Sequence, residues 1–256
     1  MSKHLSEFQK LIDVLDALLA PGGCDWDRKQ THESLVPYLL EETHEVIEAI
    51  ENRDMNALKE ELGDLMLHIL FQAKLSDDEG HFDIADSLKN ISSKLVKRHP
   101  HVFSEEDHPR DENLSWEKAK QKEKGRDSVL DGVPRSLPTL TRARRIQEKA
   151  SSVGFDWKEM SPVWAKVNEE ISELEEVLQS NDEDRIKDEI GDVLFSVVNL
   201  SRFLDIDPES SLRHTIKKFE SRFKKVESEL ESRGTEMKDS TLEEMDEIWN
   251  RIKKEK

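Results

Sequence analysis

The chain has 256 residues, and 57 acidic against 39 basic side chains leave a net charge of −18 at pH 7. Charged residues make up 38 % of it and hydrophobic ones 35 %, with only 9 Gly, 8 Pro and 1 Tyr, a balance that favours helices over strands and turns. That charge argues against nucleic acid as a partner, the lack of an apolar run near the roughly 18 residues of a membrane span argues against a membrane, and the single Cys24 excludes an internal disulfide framework.

Apolar periodicity predicts a first helix over 5–19, closed by Pro21-Gly22-Gly23. A second runs from Ser34 to Asn52, and a third, capped by Asp54, from Met55 to Leu75. A fourth spans Phe82 to Arg98 and stops before Pro100; a shorter one covers 114–124. The stretch from Gly125 to Pro138 reads as a linker. Beyond it the pattern predicts helices over 139–152, 162–180, 182–204, 208–233 and 241–254, with Asp182 and Asp207 as caps. The expected architecture is all-α: two domains of four-helix-bundle type, 1–124 and 139–256, joined by 125–138.

Those domains are one pattern written twice. EETHEVIEAIENRDMNALKEELGDLMLHILF from Glu41 and EEISELEEVLQSNDEDRIKDEIGDVLFSVVN from Glu169 align with a shift of 128 residues. The shift pairs Glu42 with Glu170, Glu45 with Glu173, Glu61 with Glu189 and Asp64 with Asp192. Lys94 and Arg98 match Lys218 and Arg222, and Trp116 and Trp249 stand in the last helix of each half. Two copies of such length are a tandem duplication.

Glu42 interrupts the stripe Leu35, Leu39, Val46, Ala49, and Glu170 interrupts Val163, Val167, Leu174, Val177. Both acids therefore sit where a core residue is expected. Short turns at 52–54 and 180–182 make each helix pair an antiparallel hairpin, which sets Glu42 and Glu45 level with Glu61 and Asp64. Four carboxylates converging on one seam repel and are costly to bury unpaired. A hard divalent cation, Mg²⁺ or Mn²⁺ as its substitute, resolves that conflict. A di-iron bundle is rejected, because Glu41-x-x-His44 has Ser172 where its counterpart would need His. His44 and His68 become Ser172 and Ser196 in the second copy, so both are expected to pack or to lie at the periphery.

Lys218 and Arg222, like Lys94 and Arg98, are spaced i, i+4 and could clamp phosphate oxygens. Trp249 and Trp116 could stack on a base or a sugar. Trp26 and Trp157, which open their copies in CDWD and GFDW, are expected as packing anchors.

With E-E-x-x-E followed by E-x-G-D in each half, and with CDWD, KRHPHVF (97–103), VPRSLP (133–138) and VGFDW (153–157), the chain resembles the all-alpha MazG-type nucleoside triphosphate pyrophosphohydrolases over nearly its whole length. The resemblance implies hydrolysis of nucleoside triphosphates to the monophosphate and pyrophosphate, with broad base specificity, in a cytoplasmic homodimer. It implies Mg²⁺ ligands at Glu170, Glu173, Glu189 and Asp192, with N-terminal equivalents at Glu42, Glu45, Glu61 and Asp64. Nucleotide contacts would fall on Lys166, Glu169, Arg185, Lys187, Asp188, Lys218, Arg222 and Trp249. Glu169 or Glu41 is the candidate base. Arg185 has Ala57 as its counterpart, which favours the C-terminal copy as the catalytic one. The competing expectation is a non-catalytic helical module that senses nucleotides or binds a partner.

Overall fold

The computed structural model describes residues 2–103, 127–180 and 182–254. Among them are ten α-helices and no strand, which makes the fold all-α. The expected helix over 114–124, with Trp116, lies outside the described residues. The chain divides into two compact units, Met1–Arg110 and Asp111–Lys256.

The first unit holds α1 (Lys3–Leu19), α2 (Val36–Asn52), α3 (Met55–Asp78), α4 (Ile84–Arg98) and the single turn α5 (Pro100–Phe103). Helix α2 starts two residues later than its periodicity predicts. The reason is local: Thr31 N–H donates to Ser34 Oγ and Ser34 N–H to Thr31 Oγ1, a side-chain turn that competes with helix. Arg53 then reverses the chain in the left-handed region (φ 56°), and Asp54 accepts hydrogen bonds from the Asn56 and Ala57 N–H groups to start α3. Asp83 and Asp86 form a reciprocal capping box on α4. Helix α1 packs on α3, and Leu15, Leu35, Leu70 and Phe71 form the core between them.

The second unit holds α6 (Thr139–Ser151), α7 (Met160–Val177), α8 (Glu183–Phe203), α9 (Pro208–Ser232) and α10 (Leu242–Lys254). Asp182 caps α8 through the Arg185 N–H and Asp207 caps α9 through the Ser210 N–H, as expected from their positions. Helices α7 and α8 form the hairpin that corresponds to α2 and α3. Helix α6 lies on α8, in the place that α1 takes on α3. A second core, of Val226, Leu230, Ile248 and Ile252, joins α9 to α10. Residues 127–138 turn back on this unit, where the buried Lys149 donates to the Val129 carbonyl at 3.1 Å.

One expectation fails. Trp26 and Trp157 are not buried anchors, being 51 % and 42 % exposed. Each sits in a loop, beyond the reach of the helical stripe that organises the core.

Candidate functional site

The stripes place the acids. Leu35 and Ala49 are buried on either side of Glu42, as are Val163, Val167 and Val177 around Glu170. Each acid is thereby turned towards the partner helix of its hairpin. On α2 and α3, Glu42, Glu45 and Glu61 each bring a carboxylate oxygen within 4.8 Å of the other two; on α7 and α8, Glu170, Glu173 and Glu189 do the same. Asp64 and Asp192, the fourth acid of each motif, are exposed and do not join those mutually close sets.

Crowding disfavours the charged forms of these acids. Burial, then the charges of Asp64, Glu45 and Glu61, push the Glu42 carboxyl above its ordinary range. Burial and neighbouring acids raise Glu61 in the same way, and burial with Glu170 raises Glu173. In the second unit a cation stands against this repulsion. Lys166 Nζ lies 2.7 Å from both Glu169 and Glu170, and the hydrogen bonds it donates to those two carboxylates push its pKa up. Glu170 itself is buried. Three convergent, mutually repelling oxygen donors are the set that a hard divalent cation takes, so the residues present fit Mg²⁺ or Mn²⁺.

The MazG nucleotide pyrophosphohydrolase domain matches this chain twice, at residues 30–103 and 160–227. The chain belongs to the MazG family. The nucleoside triphosphate pyrophosphohydrolase/pyrophosphatase MazG of Thermotoga maritima is 46 % identical over 248 residues, covering 96 % of this chain and 95 % of that protein. The nucleoside triphosphate pyrophosphohydrolase of Escherichia coli K12 is 41 % identical over 259 residues, 98 % of each. The uncharacterized protein YabN of Bacillus subtilis is 44 % identical over 253 residues, which are 96 % of this chain but 52 % of that protein. The two MazG matches hold the α2–α3 and α7–α8 hairpins, and with them both acid clusters.

In the second MazG unit, the acids border a cavity of about 450 Å³ between α6, α7 and α8. Glu170, Asp192, Lys166, Trp157, Val163 and Phe195 are among the residues that line it. Gly154 (φ +93°) ends α6 and releases the chain into Phe155-Asp156-Trp157. Asp156 is then held by Arg202, through two hydrogen bonds of 2.6 and 2.9 Å, and by the Ser151 hydroxyl at 2.7 Å. This clasp fixes Trp157 at the cavity wall.

Arg222 and Trp249 form a separate group at the α9–α10 contact. The guanidinium carbon lies 5.9 Å from the indole centroid, and Phe219 packs on the same ring at 5.1 Å. Lys218 is exposed one turn away on α9, and Arg185, Lys187 and Asp188 are exposed on the first turns of α8. Glu41 and Glu169 are also exposed, Glu169 paired to Lys166. In the first unit Lys94 and Arg98 are half-buried on α4. His44 is exposed there, and His68 stacks on Tyr38 with ring centroids 6.5 Å apart. The sequence reading missed Gln147, Asp156, Asn199 and Arg202 around the cavity. The Lys166–Glu170 and Asn199–Arg202 pairs carry a legible signal, i, i+4 and i, i+3 spacing on one helix face; Gln147 and Asp156 come to the cavity only through tertiary packing.

Proposed function

We propose that the chain hydrolyses nucleoside triphosphates of any base to the monophosphate and pyrophosphate, with Mg²⁺ or Mn²⁺ as cofactor and the α7–α8 hairpin as the working site. The observation that carries this reading is the Glu170–Glu173–Glu189 cluster, held beside a half-open cavity in a chain of MazG sequence. The relatives from T. maritima and E. coli are named for this activity.

Glu170, Glu173, Glu189 and Asp192 would hold the ion, and Glu42, Glu45, Glu61 and Asp64 would hold another in the N-terminal copy. Bound there, the cation supplies the positive charge that lets a chain of −18 accept a polyphosphate, and it acidifies water beside it. Glu169, or Glu41 in the first copy, receives the proton of the attacking water. The water oxygen bonds to the α-phosphorus as the bond to the bridging oxygen breaks, and pyrophosphate leaves in line. Lys218 and Arg222 stabilise the phosphoryl oxygens as charge builds on them. Lys166, Arg185, Lys187, Asp188 and Trp249 complete the nucleotide contacts.

The same reading makes the chain a homodimer. Ile190, Leu194 and Val197 on α8 are 46, 54 and 42 % exposed, and Leu212, Ile216 and Phe219 on α9 are 50, 48 and 54 % exposed. Both rows follow i, i+4, i+7, the spacing of a face that packs on another helix. Among the described residues no helix is long and apolar enough to cross a membrane, and Cys24 is a free thiol, which suits a cytoplasmic enzyme. The domain limits 1–124 and 139–256, joined by 125–138, belong to the same proposal.

The test is to incubate each nucleoside triphosphate with Mg²⁺ and resolve the products. Monophosphate and pyrophosphate are expected. Diphosphate with orthophosphate, or unaltered substrate, would overturn the assignment.

A further inference from the structure

The first unit carries a second set of metal-ligating side-chain types, at the end of α3, about 27 Å along that helix from Glu61. Glu79 closes α3, Gly80 follows in the left-handed region (φ 75°), and the His81 N–H donates to the Ser76 carbonyl at 2.9 Å. The backbone of the turn is thereby fixed, with Glu79 and His81 on either side of the glycine. His32 comes from the loop before α2. Its Nε2 lies 3.9 Å from Glu79 Oε2, and the His81 Nε2 lies 3.5 Å from the same oxygen. Among the described residues no lysine or arginine pairs with Glu79.

His32 is already arranged as a ligand. Gln72 Nε2 donates to the His32 carbonyl at 3.3 Å, which turns the Gln72 Oε1 to the imidazole, and the His32 Nδ1–H donates to that oxygen. The Nε2 that faces Glu79 is then the nitrogen with the free lone pair. Histidines that bind metal are held in this way, by an outer acceptor that sets the tautomer and the ring plane. Two ligands on one tetrahedral Zn²⁺ stand roughly 3.3 Å apart, each being about 2 Å from the ion. Both imidazoles are near that spacing from the carboxylate. The two rings are farther from each other, so the three atoms are not one mutually close set. His81 is 68 % exposed on its fixed turn, and rotation of that side chain closes the gap.

The second unit shows that the turn itself does not require these residues. Asp205 takes the left-handed position at the end of α8 (φ 55°), and the Ile206 N–H donates to the Ser201 carbonyl at 2.8 Å, the same closure. Leu204 and Ile206 stand there in the places of Glu79 and His81, and Met160 lies 128 positions on from His32.

We propose that His32, Glu79 and His81 bind one divalent transition cation, Zn²⁺ above all, with water as the fourth ligand, and that the ion ties the loop ahead of α2 to the end of α3. Two imidazoles and a carboxylate suit Zn²⁺, whereas Mg²⁺ keeps to oxygen. The site is separate from the acid clusters and does not depend on the hydrolytic reading.

The experiment titrates Zn²⁺ into the full chain in excess Mg²⁺ and follows the imidazole groups by NMR, their signals assigned through bonds. The His32 and His81 signals are expected to move together and to saturate at lower Zn²⁺ than any other imidazole. Glu79→Ala, which removes the carboxylate that both rings face, should weaken Zn²⁺ at these rings by more than about a hundredfold, and Gln72→Leu, which keeps all three ligands, by about tenfold. Movement of neither ring, or of one alone, overturns the proposal. Movement of every imidazole together also overturns it and leaves an adventitious ion only. An affinity unchanged in either variant does the same. Should a variant not fold, the wild-type titration decides by itself.

Discussion

Two hairpins of this chain carry the same acids among different neighbours. In the first unit α1 closes over α3, and Phe71 is 3 % exposed in a core with Leu15, Leu35 and Leu70. The residue 128 positions on is Asn199, and there α6 lies over α8 above a cavity instead of a filled core. Lys166 and Ser196 line that cavity, while their counterparts Tyr38 and His68 stack on one another. The acid cluster of the first unit accordingly has no lysine at the position that steadies Glu170. The same acid motif is thus kept while the room and the counter-charge around it change, a difference in line with the proposal that the second copy turns over.

The sharpest way to break this contrast is to remove one acid from each cluster. Glu189→Gln is expected to lower pyrophosphate release by at least about a hundredfold, an effect of electrostatic size, whereas Glu61→Gln lowers it less. Equal losses in a steady-state pyrophosphate assay would mean that the copies share the work. Next comes Lys166→Met. It leaves the buried Glu170 among acids without its cation, and thermal unfolding in EDTA should show a loss of about 1 kcal/mol, Lys166 being partly screened by solvent, with some of it recovered on adding Mg²⁺. A loss indifferent to Mg²⁺ would separate the lysine from the ion site.

Asp156→Asn probes the cavity wall. Burial pushes the Asp156 carboxyl up, but hydrogen bonds from Arg202 and Ser151 outweigh it and hold the group below its ordinary 3.8. A depressed carboxylate stabilises the fold above its unfolded pKa and ceases to do so as pH falls through its folded one. The variant should therefore be less stable by about 1–3 kcal/mol at pH 7, and the difference should shrink below about pH 4. A difference that does not change with pH would show that the ion pair is not its source. The smallest effect is expected from Mg²⁺ on the wild-type chain: a rise in Tm of a few degrees, which EDTA reverses. No rise with either Mg²⁺ or Mn²⁺ would count against both ion sites.

Helix positions, the caps at Asp54, Asp182 and Asp207, the hairpins and the inward turn of Glu42 and Glu170 were all legible, because each follows from spacing within about twenty residues. The clasp between Asp156 and Arg202 was not, since its partners stand 46 residues apart and neither position is unusual in its own helix or loop. Gln147 was hidden for a different reason. In Arg144-Arg145-Ile146-Gln147-Glu148 it reads as one more polar residue on a charged helix, and only the Phe195 carbonyl and the cavity make it singular. The two exposed tryptophans were misread because loop aromatics follow no period.

The row Leu212, Ile216 and Phe219 stands on a polypeptide of strongly negative net charge, so two opposed forces govern any meeting of two copies. Long-range repulsion would hold two copies apart in dilute buffer, while in the proposed dimer the apolar row would favour contact at close quarters. Added electrolyte weakens the first and leaves the second intact. For the proposed homodimer, raising ionic strength is therefore expected to favour self-association while weakening the phosphate contacts proposed for Lys218 and Arg222.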